Sequence, residues 1–209
     1  MTYPIPVFFI ATVVFVIVLT IKRTQNTRHQ EDVNEAFLDR ERQANATRKK
    51  DISNLNYLPF STDSLPISEH PDEELLRQEA ILRDLSGKRI LNLSMYSNTD
   101  LKLMYGPANL NDLTEYDDNY HLLSVTLFAY AKREEDLGRT AAAVSVLEYA
   151  MSLKIDSSKL YLLLAELYQK QLTPEKIQAI ADAAASMDES FAALLLPKLD
   201  AFRTLQSSD

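Results

Sequence analysis

The residues best suited by type to bind a metal or move a proton are three histidines, His29, His70 and His121. They lie far apart, and none has a second His four residues on or the helical His/Glu pairing of a metalloprotease. Each therefore reads as a surface or capping residue. The acidic group Asp112, Glu115, Asp117 and Asp118 suggests calcium chemistry, but it lacks the central Gly and closing Glu of an EF-hand loop. Helix capping accounts for it better. Serines are plentiful, yet no Gly-x-Ser-x-Gly elbow occurs. There is no Cys, which excludes a thiolate zinc site, an iron–sulfur cluster and a cysteine nucleophile. The three glycines, at 87, 106 and 138, cannot supply a Walker loop or a dinucleotide fingerprint. No catalytic residue, metal site or cofactor is predicted, and the chain reads as a non-enzyme.

The elements that would position any site begin with an apolar segment. Residues 1–21 carry no charged side chain, and the run from Ile5 to Ile21 is almost entirely Val, Ile, Phe and Leu. A helix of about 20 such residues spans a bilayer core. A cleaved signal peptide would need basic residues before the run and small residues at a cleavage site, and neither is present. The sequence thus predicts a transmembrane anchor over residues 1–23, in contact with lipid through residues 4–22. Lys22, Arg23 and Arg28 follow the run, and the positive-inside rule then places the C-terminal part in the cytoplasm at the plasma membrane. Two sequons, at Asn45 and Asn92, have no role on that side.

Charge divides the remainder. The chain holds 30 acidic and 22 basic side chains, a formal −8. Residues 22–50 are net basic and residues 51–209 strongly acidic, which disfavours nucleic acid as a partner. Residues 24–70 read as a polar, partly helical stalk followed by a linker. That linker carries Leu55, Tyr57, Leu58, Phe60, Leu65 and Ile67, side chains suited to docking on a folded domain. Residues 71–119 form a lead-in: a helix opened by Pro71 and ending at Ser86-Gly87, then a short helix Thr99–Tyr105 closed by Gly106-Pro107. Residues 120–209 read as helix throughout. Asp117, Asp118 and Asn119 are expected to cap a first helix from Tyr120 to Leu137, and Gly138 to break it. Helices follow over Thr140–Leu153, from an Asp156–Ser158 cap to Gln171, and from Thr173-Pro174-Glu175 onward, with Ser186–Glu189 before the last. Pro197 should kink or split that last helix.

Short loops between these helices imply antiparallel neighbours. A shift of 34 residues superposes Leu127 on Tyr161, Tyr130 on Leu164, Ala131 on Ala165, Ala143 on Ile177 and Ala150 on Ala184. The run Tyr161-x-x-Leu164-Ala165-x-x-Tyr168, and Gly138 followed by Ala143, Leu147 and Ala150, resemble the tetratricopeptide repeat, whose period is also 34. The resemblance covers residues 120–187, with Asp188–Leu205 as a capping helix. Glu134 stands where that family has an aromatic, and Ile155 and Glu189 stand where it has Pro. The fold class expected is all-α, a transmembrane helix followed by tetratricopeptide-like hairpins. The layout is similar to that of uncharacterised bacterial membrane proteins, a likeness that implies no activity.

The resemblance implies a recognition surface lined by the first helix of each pair. Its candidate residues are Phe128, Lys132 and Glu135 on one helix and Lys159, Leu162 and Glu166 on the next. The expected function is a membrane-anchored scaffold that binds a protein or peptide partner. The alternatives are an envelope protein of opposite topology and an enzyme with an unrecognised site. A covering of this face by residues 51–67 or 88–110 is equally open at the level of sequence.

Overall fold

A computed structural model describes residues 5–67, 72–171, 173 and 175–204. It is all-helical among those residues. His70, Pro71 and Pro174 lie outside them, as does the side chain of His29. The chain divides into two compact units, residues 1–52 with 96–110 and residues 53–95 with 111–209.

The first unit is built on α1, Ile5–Ala46, a single helix of 42 residues. The apolar run is thus the first part of an element whose second half is polar and charged. No helix among the described residues is long and apolar enough to cross a membrane, so the predicted span is corrected to the start of a long, mixed helix. The lipid contact expected at residues 4–22 rests on that same span, and residue 4 is not described.

The far end of α1 is no bare stalk either, because it carries α3, Asn98–Tyr105. A reciprocal capping box starts α3: Ser97 accepts from the Asp100 N–H, and the Asp100 carboxylate accepts from Ser97. Arg40 pairs with Asp100 at 2.6 Å, Lys102 reaches Glu41 at 2.9 Å, and the Thr99 hydroxyl donates to Glu41. The Thr99 and Lys102 bonds hold the Glu41 carboxyl below its ordinary pKa. Beyond α3, Lys50 N–H donates to Tyr105 C=O at 3.0 Å, and the buried Asn109 amide donates to the carbonyls of Lys50 and Tyr105.

The second unit contains α2, Glu73–Ser86, and five longer or closely linked helices. These are α4, Leu110–Asp136 (its first residue belonging to the first unit), α5, Thr140–Ser152, α6, Ser158–Lys170, α7, Glu175–Ala185, and α8, Glu189–Thr204. Loops of three to five residues join α4 through α8, which favours antiparallel neighbours. Ala131, Ala143, Ala150, Ala165 and Ala184 are all fully buried. Small side chains there let helix backbones approach, while Leu127, Tyr130, Leu147, Tyr161 and Leu164 fill the space between.

Several local expectations change. The helix expected from Tyr120 starts ten residues earlier, at Leu110, so Asp112 falls in the first turn of α4 while Glu115, Asp117 and Asp118 lie further inside it. Asp117 accepts from the Leu93 N–H at 2.7 Å, and Asn119 donates to the Arg89 carbonyl at 3.0 Å. These side chains hold residues 88–95 in place of a helix end. Asp156 likewise does not cap α6. Tyr120 and Asn92 donate to its carboxylate, and Ser157 at the N-cap makes no side-chain cap bond. Thr173 donates its hydroxyl back to the Tyr168 carbonyl. Pro197 does not split α8, which is one helix with Leu195 and Leu199 fully buried on either side of the proline.

The linker packs onto the second unit. Phe60 and Leu65 are buried in its core, and Leu58 and Ile67 pack against it. Tyr149 on α5 fixes this strap: its hydroxyl donates to the Ser61 carbonyl and accepts the Ser61 N–H, both at 2.9 Å.

The start of α2 yields an expected pH dependence. Asp72 caps the helix by accepting from Leu75 N–H at 2.9 Å, and Arg133 of α4 grips the same carboxylate at 2.5 Å. The guanidinium first, and then the backbone bond, depress the Asp72 pKa to about 2. A carboxyl depressed in the folded state stabilises fully above its unfolded pKa and loses that contribution as pH falls through its folded one. Asp72→Asn keeps a competent cap but removes the ion pair. Its urea midpoint should lie below wild type by the same amount from pH 5 to 7, and the gap should close between pH 4 and 2. A gap that stays constant down to pH 2 would refute the assignment.

Candidate functional site

Side chains of α4 and α6 meet in the second unit. The ion pair of Lys170 with Glu135, at 2.6 Å, joins their C-terminal ends. Further back, the Lys159 ammonium stands 6.0 Å from the centre of the Phe128 ring. Three α4 residues on this seam have counterparts 34 positions later on α6: Val125 and Lys159, Phe128 and Leu162, Lys132 and Glu166.

Between them lies a hollow of about 300 Å³, lined by Phe128, Lys132, Lys159, Leu162, Leu163, Glu166 and Phe202. Five of the six predicted surface residues line it. The sixth, Glu135, stands at its edge and bridges Lys132 at 2.8 Å and Lys170 at 2.6 Å. Those two ammonium groups hold the Glu135 carboxyl below its ordinary pKa, and the carboxylates raise that of Lys132 in return. Lys170 also pairs with Glu166 at 2.8 Å. The seam therefore combines an apolar floor with a rim of interlocked charges.

A second hollow of about 420 Å³ adjoins the first and shares Phe128 and Lys159 with it. It adds Val125, which is 67% exposed, together with His121, Ser124, Asp156 and several serines. His121 is exposed and lies 3.5 Å from Asp117, but no serine hydroxyl bonds its ring among the described residues. Burial and the Asp156 carboxylate push the Tyr120 phenol far up, so it stays protonated and serves as a structural donor. No three potential ligands converge to hold a metal among the described residues.

The linker takes another place, and residues 88–95 reach the second hollow only through Ser94. The linker packs against Tyr149 of α5 and residues 88–95 against Tyr116, Asp117 and Asn119 of α4. The lining of the 300 Å³ hollow includes neither. Sequence reasoning missed Val125, Lys170 and Phe202. Val125 was legible as the 34-residue counterpart of Lys159. Phe202 carried no signal, since it comes from α8, outside the repeated pair. No protein-family model, curated protein or solved structure matches the chain.

Proposed function

We propose that the second unit is a tetratricopeptide-like recognition module, a non-catalytic scaffold that binds a peptide segment of a partner protein along the α4–α6 seam. The observation that carries this reading is the hollow itself. Side chains of three helices, Phe128, Leu162 and Phe202 among them, line it and remain only partly buried. Half-buried aromatic and aliphatic side chains within a charged rim are the anatomy of a protein–protein contact. A volume of about 300 Å³ is at the lower end for a small-molecule pocket and accepts one or two side chains of a docked segment.

Crosslinking in intact cells, followed by identification of the attached protein, would name the partner. Its affinity for Phe128→Ala and Leu162→Ala should then fall by about tenfold or more, the scale of an interface anchor. Unchanged affinity in both variants would remove the seam from consideration.

A further inference from the structure

The charges of the seam differ in what they have left to offer a partner. Lys132 lies 2.8 Å from Glu135 and 3.2 Å from Asp136. Lys170 is held between Glu135 and Glu166. Both cations are engaged within the chain, and so are the carboxylates that hold them. Asp156 is likewise occupied by the Tyr120 hydroxyl and the Asn92 amide.

Lys159 is different. Its contact is the face of Phe128, and no carboxylate among the described residues comes within 4.0 Å of its ammonium. It stands where the two hollows meet, with Val125 in the one and Leu162 in the other. A ligand laid along the seam thus meets apolar surface, one ammonium with no carboxylate within 4.0 Å among the described residues, then apolar surface again.

The field of the whole chain narrows this further. The formal charge is −8, so a run of acidic residues would be repelled before contact. A single carboxylate between apolar neighbours meets the local cation at little long-range penalty. Resting on the peptide-binding reading above, we infer that the seam takes a segment in which one Asp or Glu is flanked on both sides by apolar side chains. The carboxylate pairs with Lys159, and the flanking side chains lie on Val125 and on Phe128 with Leu162.

The test uses the full chain and a display library of fully randomised ten-residue peptides. Enriched peptides should carry one acidic residue between apolar ones. Changing that residue to its amide should weaken binding to the wild type about tenfold, as expected for loss of a charge-assisted hydrogen bond. The same change should leave binding to Lys159→Ala unaltered. Lys159→Glu should reverse the preference, so that a peptide with Lys in that place binds better than the acidic one. Enriched peptides that need Phe128 and Leu162 but not a carboxylate would overturn this inference alone. Peptides indifferent to Phe128→Ala and Leu162→Ala would overturn the peptide-binding reading as well. Self-association of the unliganded chain that Phe128→Ala abolishes would make the occupant a second copy, and would also overturn it.

Discussion

Arg139→Ala is expected to destabilise the second unit by about 3–5 kcal/mol, the range for breaking a buried ion pair from one side. Arg139 follows Gly138 in the turn between α4 and α5, and it pairs with Glu134, whose side chain is fully buried. A backbone bond from Arg139 N–H to the Glu134 carbonyl, at 2.9 Å, closes the same turn. The pair is not fully satisfied, since Glu134 Oε1 and Arg139 Nη2 have no hydrogen-bond partner among the described residues. Glu134 therefore depends on one guanidinium. Truncating the arginine leaves a carboxylate in the core with no counter-charge. Truncating the acid instead leaves a guanidinium that is 28% exposed and can turn to water, so Glu134→Ala should be the milder change. The double variant Glu134→Leu with Arg139→Leu should recover most of the loss, because apolar replacement of a buried pair is often neutral or stabilising. Urea denaturation of these three variants beside the wild type checks this. Arg139→Ala within about 1 kcal/mol of wild type would show that the pair is not what holds the turn.

Gly106→Ala is expected to cost about 1–3 kcal/mol from backbone conformation alone, with a steric term added. Gly106 has φ +87°, a region that L residues avoid. A Cβ there would stand 2.6 Å from the Arg48 carbonyl oxygen and 2.9 Å from the Lys49 Cα. Those are backbone atoms and cannot rotate away, so the chain after α1 must move off the end of α3. The other glycines are internal controls. Gly138 also has positive φ, at +75°, but a Cβ there meets nothing within 4 Å, so Gly138→Ala should cost only the conformational part, about 1 kcal/mol. At Gly87 the nearest atom is 3.8 Å away and φ is −93°, so Gly87→Ala should be neutral or slightly stabilising. Amide exchange resolves the first case. Protection at Lys50 and Gly106, whose N–H groups bond Tyr105 and Lys102, should fall in Gly106→Ala while the second unit keeps its own.

How far the sequence reports this fold depends on whether the deciding contacts are local. Helices α5 and α6 begin and end within about two residues of where hydrophobic spacing, Gly138 and Ser158 put them, because those signals act within one turn. The start of α4 was hidden. Asp117, Asp118 and Asn119 look like a cap in isolation, and only the return of residues 89–93 to that face gives Asp117 and Asn119 their partners. Pro197 follows the same logic. A lone chain would favour a break there, but Leu195 and Leu199, buried on both sides, keep α8 continuous. The seam was half legible. Its α4 and α6 sides repeat at 34 residues and could be paired on paper, whereas Phe202 reaches it only through packing of α8. Glu134 was visible as a departure from the repeat pattern, yet its partner Arg139 was not singled out, since nothing local marks an arginine in a turn as the mate of a buried acid.

The Tyr149 clasp on Ser61 bears on the order of assembly. It joins residues 88 positions apart, so forming it first would close a very long loop for two hydrogen bonds and one ring contact, between Phe60 and Tyr149. Loop-closure entropy makes that unprofitable until the intervening helices have already brought the ends together. The strap therefore belongs to the late side of the folding barrier. Its contacts act on how fast the native unit opens and hardly at all on how fast it forms. The second unit thus carries a brake on unfolding that is separate from the helix packing that drives it to fold.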